Sequence, residues 1–392
     1  MCQKVKYRDR SILLLNKCIG YYRINMKIEA DVQKKLKDFK LDIRFVADNS
    51  HIGILGPSGS GKSMFLKNLS GLVKPDSGSI SIDNKLMYDK VKKINLDPAR
   101  RHIGYLFQNY ALFPNMTVEE NIKAAIYAAS KMKKVNSDMK SAEELMELLD
   151  ISSVAKHRPS EISGGQQQRT ALARILASDP ELLLLDEPFS ALDSFLRERT
   201  RLELYDLLVS MNKSFILVSH DRDEIYQMCD HLILFKEGKV IGQGSTEEVF
   251  KNPGNVAAAK LTGCKNISRI KRLTEHRFIA LDWGNIELVT SKILDEKSEY
   301  AGIRAHDFEP CSDSIINNHD ANGYQHNENV NELNIIPCDK VSVTKLPFEW
   351  YILLENGLWW KKNKSLYDRD EKVSIPEKLR IDPDKIIILR GN

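Results

Sequence analysis

From residue 26 to about residue 261, short and nearly continuous apolar runs alternate with longer stretches of helical spacing. Runs apolar at almost every position fit strands buried on both faces, so the pattern predicts a parallel sheet flanked by helices. The runs are His51 to Leu55, Ile103 to Phe107, Leu182 to Asp186 and Phe215 to Ser219, preceded by an alternating strand from Lys27 to Val32. Between the second and third runs, Val118 to Ala177 is rich in helical spacing, and Ala142 to Asp150 forms an acidic amphipathic stretch within it. A helical subdomain is therefore expected over about residues 109–178 of a domain spanning 26–261.

After Gly263 strand-like runs replace helices: Arg277 to Leu281, Glu299 to Arg304, Lys340 to Leu346, Glu349 to Leu354 and Lys385 to Leu389. Asn356-Gly357 separates two apolar runs as a two-residue hairpin signal. A polar stretch, residues 312–331, rich in Asn, Asp and His, reads as an exposed insertion. Residues 265–392 are thus expected to form a small all-β domain.

Composition narrows the class. With 392 residues, 42% hydrophobic and 29% charged, the chain has the size and make-up of two globular domains. No apolar run approaches the roughly 18 residues that cross a bilayer, so any membrane role needs another chain to do the spanning. A net charge of +4, with no basic block interleaved with aromatics, argues against a nucleic-acid partner. The six scattered cysteines suggest reduced thiols in a cytosol, and the histidines His51, His102, His157 and His231 lack metal-ligand spacing and are expected in surface or capping roles. Residues 1–25 carry six Lys or Arg against one acid, and their apolar core is too short for a signal peptide. They are expected to be an extension upstream of a true start at Met26.

Three motifs carry chemistry. Gly56-Pro57-Ser58-Gly59-Ser60-Gly61-Lys62-Ser63 follows an apolar strand and opens a helix, the context a phosphate-binding loop requires. Its glycines let backbone N–H groups wrap an anion, Lys62 adds charge at the β/γ-phosphates, and the Ser63 hydroxyl can ligate Mg²⁺. At the end of the run Leu182 to Leu185, Asp186 and Glu187 offer two adjacent carboxylates. Asp186 is suited to hold Mg²⁺, and Glu187 to orient an attacking water. Ser163-Gly164-Gly165-Gln166 opens a further helix, and its serine cap and bare N–H groups make a second anion site. Two phosphate sites that need not face each other in one chain suggest a dimer.

Together with Ser190-Ala191-Leu192-Asp193 and Ser219-His220, these motifs resemble the ATP-binding cassette (ABC) ATPases over about residues 26–261. The resemblance implies a P-loop NTPase cassette with a helical subdomain, an α/β fold, followed here by a small OB/TOBE-like β domain. It implies ATP and Mg²⁺ as cofactors and two copies closing head to tail on ATP. Each loop would then face the partner copy's Ser163, Gly164, Gly165 and Gln166. Glu187 and His220 would be catalytic, Gln108 would sense metal and water, Ser63 and Asp186 would hold the metal, and Asp193 would link the two sites. Met64 stands where such ATPases usually carry a second hydroxyl, leaving its backbone N–H to contribute. The usual adenine-stacking aromatic aligns with Leu36, so Phe39 is expected to take over part of that stack.

The segment Asn109 to Asn121 is apolar and matches the stretch that, in importers, lines a groove for a membrane subunit's helix. A single cassette with a β tail resembles a binding-protein-dependent importer ATPase at the cytoplasmic face of the membrane. Its partners would be two integral membrane permease subunits and, indirectly, an extracytoplasmic solute-binding protein. The segments Met26 to Phe45, Ile94 to Tyr105, Leu261 to Asn266 and Gly302 to Asp307 look most like molybdate or tungstate importer subunits. Sulfate, iron and polyamine importers carry related tails. A soluble cassette protein outside transport is the further alternative.

Overall fold

A computed structural model describes residues 25–36, 39–131, 140–190, 194–311, 334–338, 341–364 and 374–391, with backbone alone at 194–196. The chain divides into two compact units, one ending at Val240 and one beginning at Ile241. The extension at 1–24, Asp193 and the polar insertion at 312–331 lie outside the described residues.

The first unit is built on an eleven-stranded sheet among the described residues, in the order β6-β5-β4-β1-β2-β11-β10-β3-β9-β8-β7. The strands are β1 (Lys27–Lys35), β2 (Lys40–Asp48), β3 (His51–Leu55), β4 (Ser77–Ile82), β5 (Lys85–Asp89), β6 (Ile94–Asn95), β7 (Ile103–Leu106), β8 (Leu182–Asp186), β9 (Ser214–Ser219), β10 (His231–Lys236) and β11 (Lys239–Ser245). The predicted parallel sheet holds for β10, β3, β9, β8 and β7, which pair in parallel. Strands β3, β8 and β9 are buried at every position, as their unbroken apolar runs require. The other half departs from that expectation: β1 pairs antiparallel with β2 and β4, and β4, β5 and β6 continue antiparallel. Strand β1 alternates buried and half-buried residues, the mark of a strand with one wet face.

Helices α1 (Lys62–Leu69), α2 (Val118–Lys131), α3 (Ala142–Leu148), α4 (Gly164–Leu176), α5 (Ser194–Ser210) and α6 (Arg222–Met228) complete this unit. Ser141 and Glu144 form a capping box that starts α3. Arg101 closes the other end of α1 by donating to the carbonyls of Asn68 (2.9 Å) and Leu69 (2.7 Å), which have no partner within the helix. His51, expected at the surface, is instead buried and stacks on Phe215 at 4.4 Å, because β3 is a central strand covered on both faces.

The second unit opens with the last five residues of β11, passes through two short helices, α7 (Thr246–Lys251) and α8 (Val256–Leu261), and continues as β structure. Its strands are β12 (Asn266–Arg272), β13 (Arg277–Ala280), β14 (Ile286–Val289), β15 (Tyr300–Ile303), β16 (Phe308–Cys311), β17 (Ile335–Pro337), β18 (Val341–Lys345), β19 (Glu349–Leu354), β20 (Trp359–Asn363), β21 (Lys378–Ile381) and β22 (Ile387–Leu389). They form sheets in the orders β14-β13-β12-β15-β22, β16-β21-β17 and β18-β19-β20. One core joins them, with Phe278, Trp283, Trp350, Trp360 and Leu379 among its side chains.

The hairpin at Asn356-Gly357 differs from its two-residue expectation. Leu354 N–H donates to Leu358 O and Gly357 N–H to Leu354 O, so three residues, Glu355 to Gly357, form the loop. Gly357 takes φ 84° while Asn356 is not among the residues of positive φ. The type I′ turn needs both central residues there; a single left-handed glycine closes the longer loop instead.

Candidate functional site

Strand β3 delivers the chain into the loop 56–61, and Gly61 (φ 99°) starts α1. Glycine is required at position 56, because a Cβ there would lie 2.4 Å from the Phe235 carbonyl oxygen. Pro57, Ser58 and Gly59 are exposed, and Ser60 is buried with its hydroxyl lacking any hydrogen-bond partner. A buried polar group without a partner costs roughly 1–3 kcal/mol. An anion held in the loop would relieve that cost, so these residues fit a phosphate group. Lys62, 5% exposed, folds its ammonium onto the carbonyls of Gly56 (2.8 Å) and Pro57 (3.0 Å). Burial pulls its pKa down, and the charges of Glu187 and Asp186 oppose that shift. Met64 is half-buried and packs on the core beneath.

The loop and the end of β8 meet through one hydrogen bond: Ser63 Oγ donates to Asp186 Oδ1 at 2.8 Å. The other carboxylate oxygen of Asp186 accepts from the Tyr105 hydroxyl at 2.9 Å. Burial and the adjacent Asp186 charge push the Tyr105 phenol upward, keeping it a donor. Ser63 and Asp186 form an oxygen pair that would suit Mg²⁺, whose remaining ligands would come from phosphates and water. Among the described residues no group of three or more His, Cys, Asp or Glu side chains gathers to hold a metal.

Glu187 takes φ 47°, a left-handed backbone that non-glycine residues adopt at a cost. Its N–H donates to Val218 O (3.0 Å) and its carbonyl accepts from Ser190 Oγ (2.9 Å), and these bonds hold it in place. Its Oε2 lies 3.5 Å from Nδ1 of His220, which stands just past the end of β9. The predicted pair of acid and imidazole is thus brought together, with the carboxylate largely buried and the ring 55% exposed on its side chain. Gln108 is exposed beyond β7, with Tyr110 (φ 58°) and Ala111 (φ 45°) following it. Arg174 of α4 clamps that turn through Ala111 O (2.8 Å) and Tyr110 O (3.2 Å).

Ser163 and Gln166 form a capping box at the start of α4: Gln166 N–H donates to Ser163 Oγ and Ser163 N–H to Gln166 Oε1. The box uses Ser163 Oγ and Gln166 Oε1 as acceptors at the helix start. Gly164 and Gly165 differ from Gly56, since a Cβ built at either meets nothing within 4 Å. Packing within the described chain does not demand glycine there. Phe39 lies beside the phosphate loop, its ring 3.3 Å from where a Cβ of Gly61 would stand. Leu36 turns back to it through Leu36 N–H to Phe39 O.

Two residues of this region were not singled out from sequence. Tyr105 is the one residue with a hydroxyl in the run Ile103 to Phe107, and a hydroxyl in a buried run needs a partner. Glu224 is buried in α6 and accepts the Ser219 hydroxyl at 2.6 Å. Ser219 Oγ in turn accepts from Asp221 N–H at 2.9 Å, so Glu224 braces the turn that carries His220.

Residues 36–190 match the family model described as "ABC transporter". The chain is 39% identical over 244 residues to the glucose import ATP-binding protein GlcV of Saccharolobus solfataricus, covering 62% of this chain and 68% of that protein. The chain belongs to the ATP-binding proteins of ABC transporters. A probable sulfate/thiosulfate import ATP-binding protein, CysA of Chlorella vulgaris, is 39% identical over 56% of this chain and 90% of its own length. The spermidine/putrescine import protein PotA of Thermotoga maritima is also 39% identical, over 60% of this chain and 61% of its own. As an ABC ATPase, this chain hydrolyses ATP in coupling to transport. No helix among its described residues is long and apolar enough to cross a membrane.

Proposed function

We propose that this chain is the ATP-hydrolysing subunit of a binding-protein-dependent importer, working as a pair of copies on the cytoplasmic side beneath two membrane permease subunits. In this reading residues Gly56 to Met64 hold the phosphates of ATP, and Ser63 and Asp186 hold Mg²⁺, which neutralises charge on them. Glu187 polarises the attacking water, His220 steadies the terminal phosphate, and Gln108 senses metal and water. The observation that carries the chemistry is the convergence of Ser63 and Asp186 at 2.8 Å and of Glu187 and His220 at 3.5 Å on the phosphate loop.

The open space at Gly164 and Gly165 supports the second copy: glycine with no neighbour in its own chain leaves room for close approach by another molecule. Ser163, Gly164, Gly165 and Gln166 would meet the ATP held by the partner copy, with Asp193 linking the two sites. A cleft of about 400 Å³ supports the permease contact. Phe113, Ala124, Ala125, Ala128 and Ala129 line it with Tyr105, and the small alanines leave its α2 wall free of bulky side chains. Phe113, Met116 and Tyr127 remain exposed nearby in sequence.

For the solute, the resemblance of the segments named above supports molybdate or tungstate. The similarity to CysA and PotA favours sulfate or a polyamine as the second reading. Affinity capture of the intact chain from its native membranes tests the assignment, with integral membrane subunits expected in the eluate. Recovery of none would overturn it. ATPase stimulation of the captured complex by binding protein loaded with molybdate, sulfate or spermidine then decides the solute.

A further inference from the structure

We propose that Tyr105 is a positioning residue for the metal-binding carboxylate, acting on Asp186 from the wall of the permease groove. The inference rests on the reading of Asp186 as a Mg²⁺ ligand. Asp186 ends β8, and its two oxygens are claimed from opposite elements, Oδ1 by Ser63 of α1 and Oδ2 by Tyr105 of β7. A lone carboxylate at a strand end turns about its terminal torsion, and one donor leaves the rotation partly free. A second donor on the other oxygen fixes the plane, which matters because Mg²⁺ demands near-ideal geometry from its few protein ligands.

The donor is itself held. Tyr105 pairs with Leu184 in the β7–β8 register, its ring stacks on Phe107 at 4.2 Å, and it packs against the main core. The same residue lines the 400 Å³ cleft with Phe113 and the alanines of α2. One side chain therefore belongs both to the docking wall and to the metal carboxylate, three residues before Gln108.

The test is Tyr105→Phe, which deletes the hydroxyl and keeps the ring. Binding of trinitrophenyl-ATP is titrated with Mg²⁺ on the full chain and repeated in EDTA. The variant is expected to need about tenfold more Mg²⁺ for half-maximal effect, with metal-free nucleotide affinity unchanged and turnover approaching wild type at saturating Mg²⁺. An unaltered Mg²⁺ midpoint overturns the inference. Wild-type binding indifferent to Mg²⁺ would instead overturn the metal reading of Asp186, and the two failures are told apart by the wild-type curve.

Discussion

The phosphate loop and two buried amides of the β-rich tail treat their polar groups in opposite ways. In the tail, Asn266 takes the place of a strand peptide: its Oδ1 accepts Trp359 N–H at 2.7 Å and its Nδ2 donates to Trp359 O at 2.8 Å. Asn334 does the same with Val289, both contacts at 2.7 Å. These amides complete the backbone pairing of their strands. In the nucleotide region Ser60 has a buried hydroxyl with no partner, Lys62 is buried on loop carbonyls, and Glu187 holds a left-handed backbone. The difference teaches where to look for function: Asn266 and Asn334 use buried polarity to settle the fold, whereas the loop keeps the Ser60 hydroxyl unsatisfied where an anion would meet it.

The largest effect should come at the strained position. Glu187→Gln is expected to lower phosphate release by at least about a hundredfold while ATP binding persists. A dimer should then accumulate on ATP addition in size-exclusion chromatography. Retained turnover would remove Glu187 from catalysis and erase the contrast on the active-site side.

Gly164→Ala comes next. Alanine has room in the described chain and favours a helix by roughly 0.5–1 kcal/mol, so the melting temperature should hold or rise. Hydrolysis should nonetheless fall several-fold because the added methyl meets the partner copy. Unchanged ATPase activity would argue against close approach at this glycine.

Asn266→Ala sharpens the comparison from the other side. Stranding the Trp359 N–H and C=O should cost the tail about 1–3 kcal/mol and leave the ATP affinity of the loop unchanged. All four tryptophans, Trp283, Trp350, Trp359 and Trp360, lie in the second unit, so urea unfolding followed by tryptophan emission isolates it. A shift in nucleotide affinity would show that the amide serves more than the fold.

The smallest effect is a pH dependence at Glu224. Burial, aided by Asp221, raises this carboxyl, while the Ser219 hydrogen bond and the charges of Arg197 and Arg201 oppose the rise. A raised acid holds its proton more tightly in the folded state, so its contribution is full below the ordinary value of 4.5 and is lost as pH rises through the folded pKa. Glu224→Gln does not titrate. Its melting temperature should therefore gain on wild type as pH is raised from 4 to 7, and a gain on lowering pH would reverse the assignment.

Much of the catalytic half is legible residue by residue. The apolar runs at His51 to Leu55 and Leu182 to Asp186 match β3 and β8 residue for residue, because burial on both faces leaves no polar position inside them to break the pattern. Ser163 caps its helix as its type and place require. The short strands β4, β5 and β6 were not anticipated, since each sets only a few apolar residues among serines and charges, too short a pattern to stand out, and β4 takes β1 as a partner from far earlier in the chain. The hairpin at Asn356-Gly357 shows the same limit at small scale: the dipeptide announces a turn, but its length follows from which residues pair across it.

By itself the sequence determined the phosphate loop, the acidic strand end, the capped glycine helix and the change of texture near Gly263, because each depends on neighbours within a few residues. Only the tertiary structure decided that Ser63, Tyr105 and Asp186 share one carboxylate and that Glu224 braces the His220 turn. Those contacts join residues 123 and 81 positions apart at Asp186, or turn on which way a buried side chain points inside α6. The β7–β8 pairing and the packing of α1 against β8 bring the first set together, and a one-dimensional pattern carries no record of either.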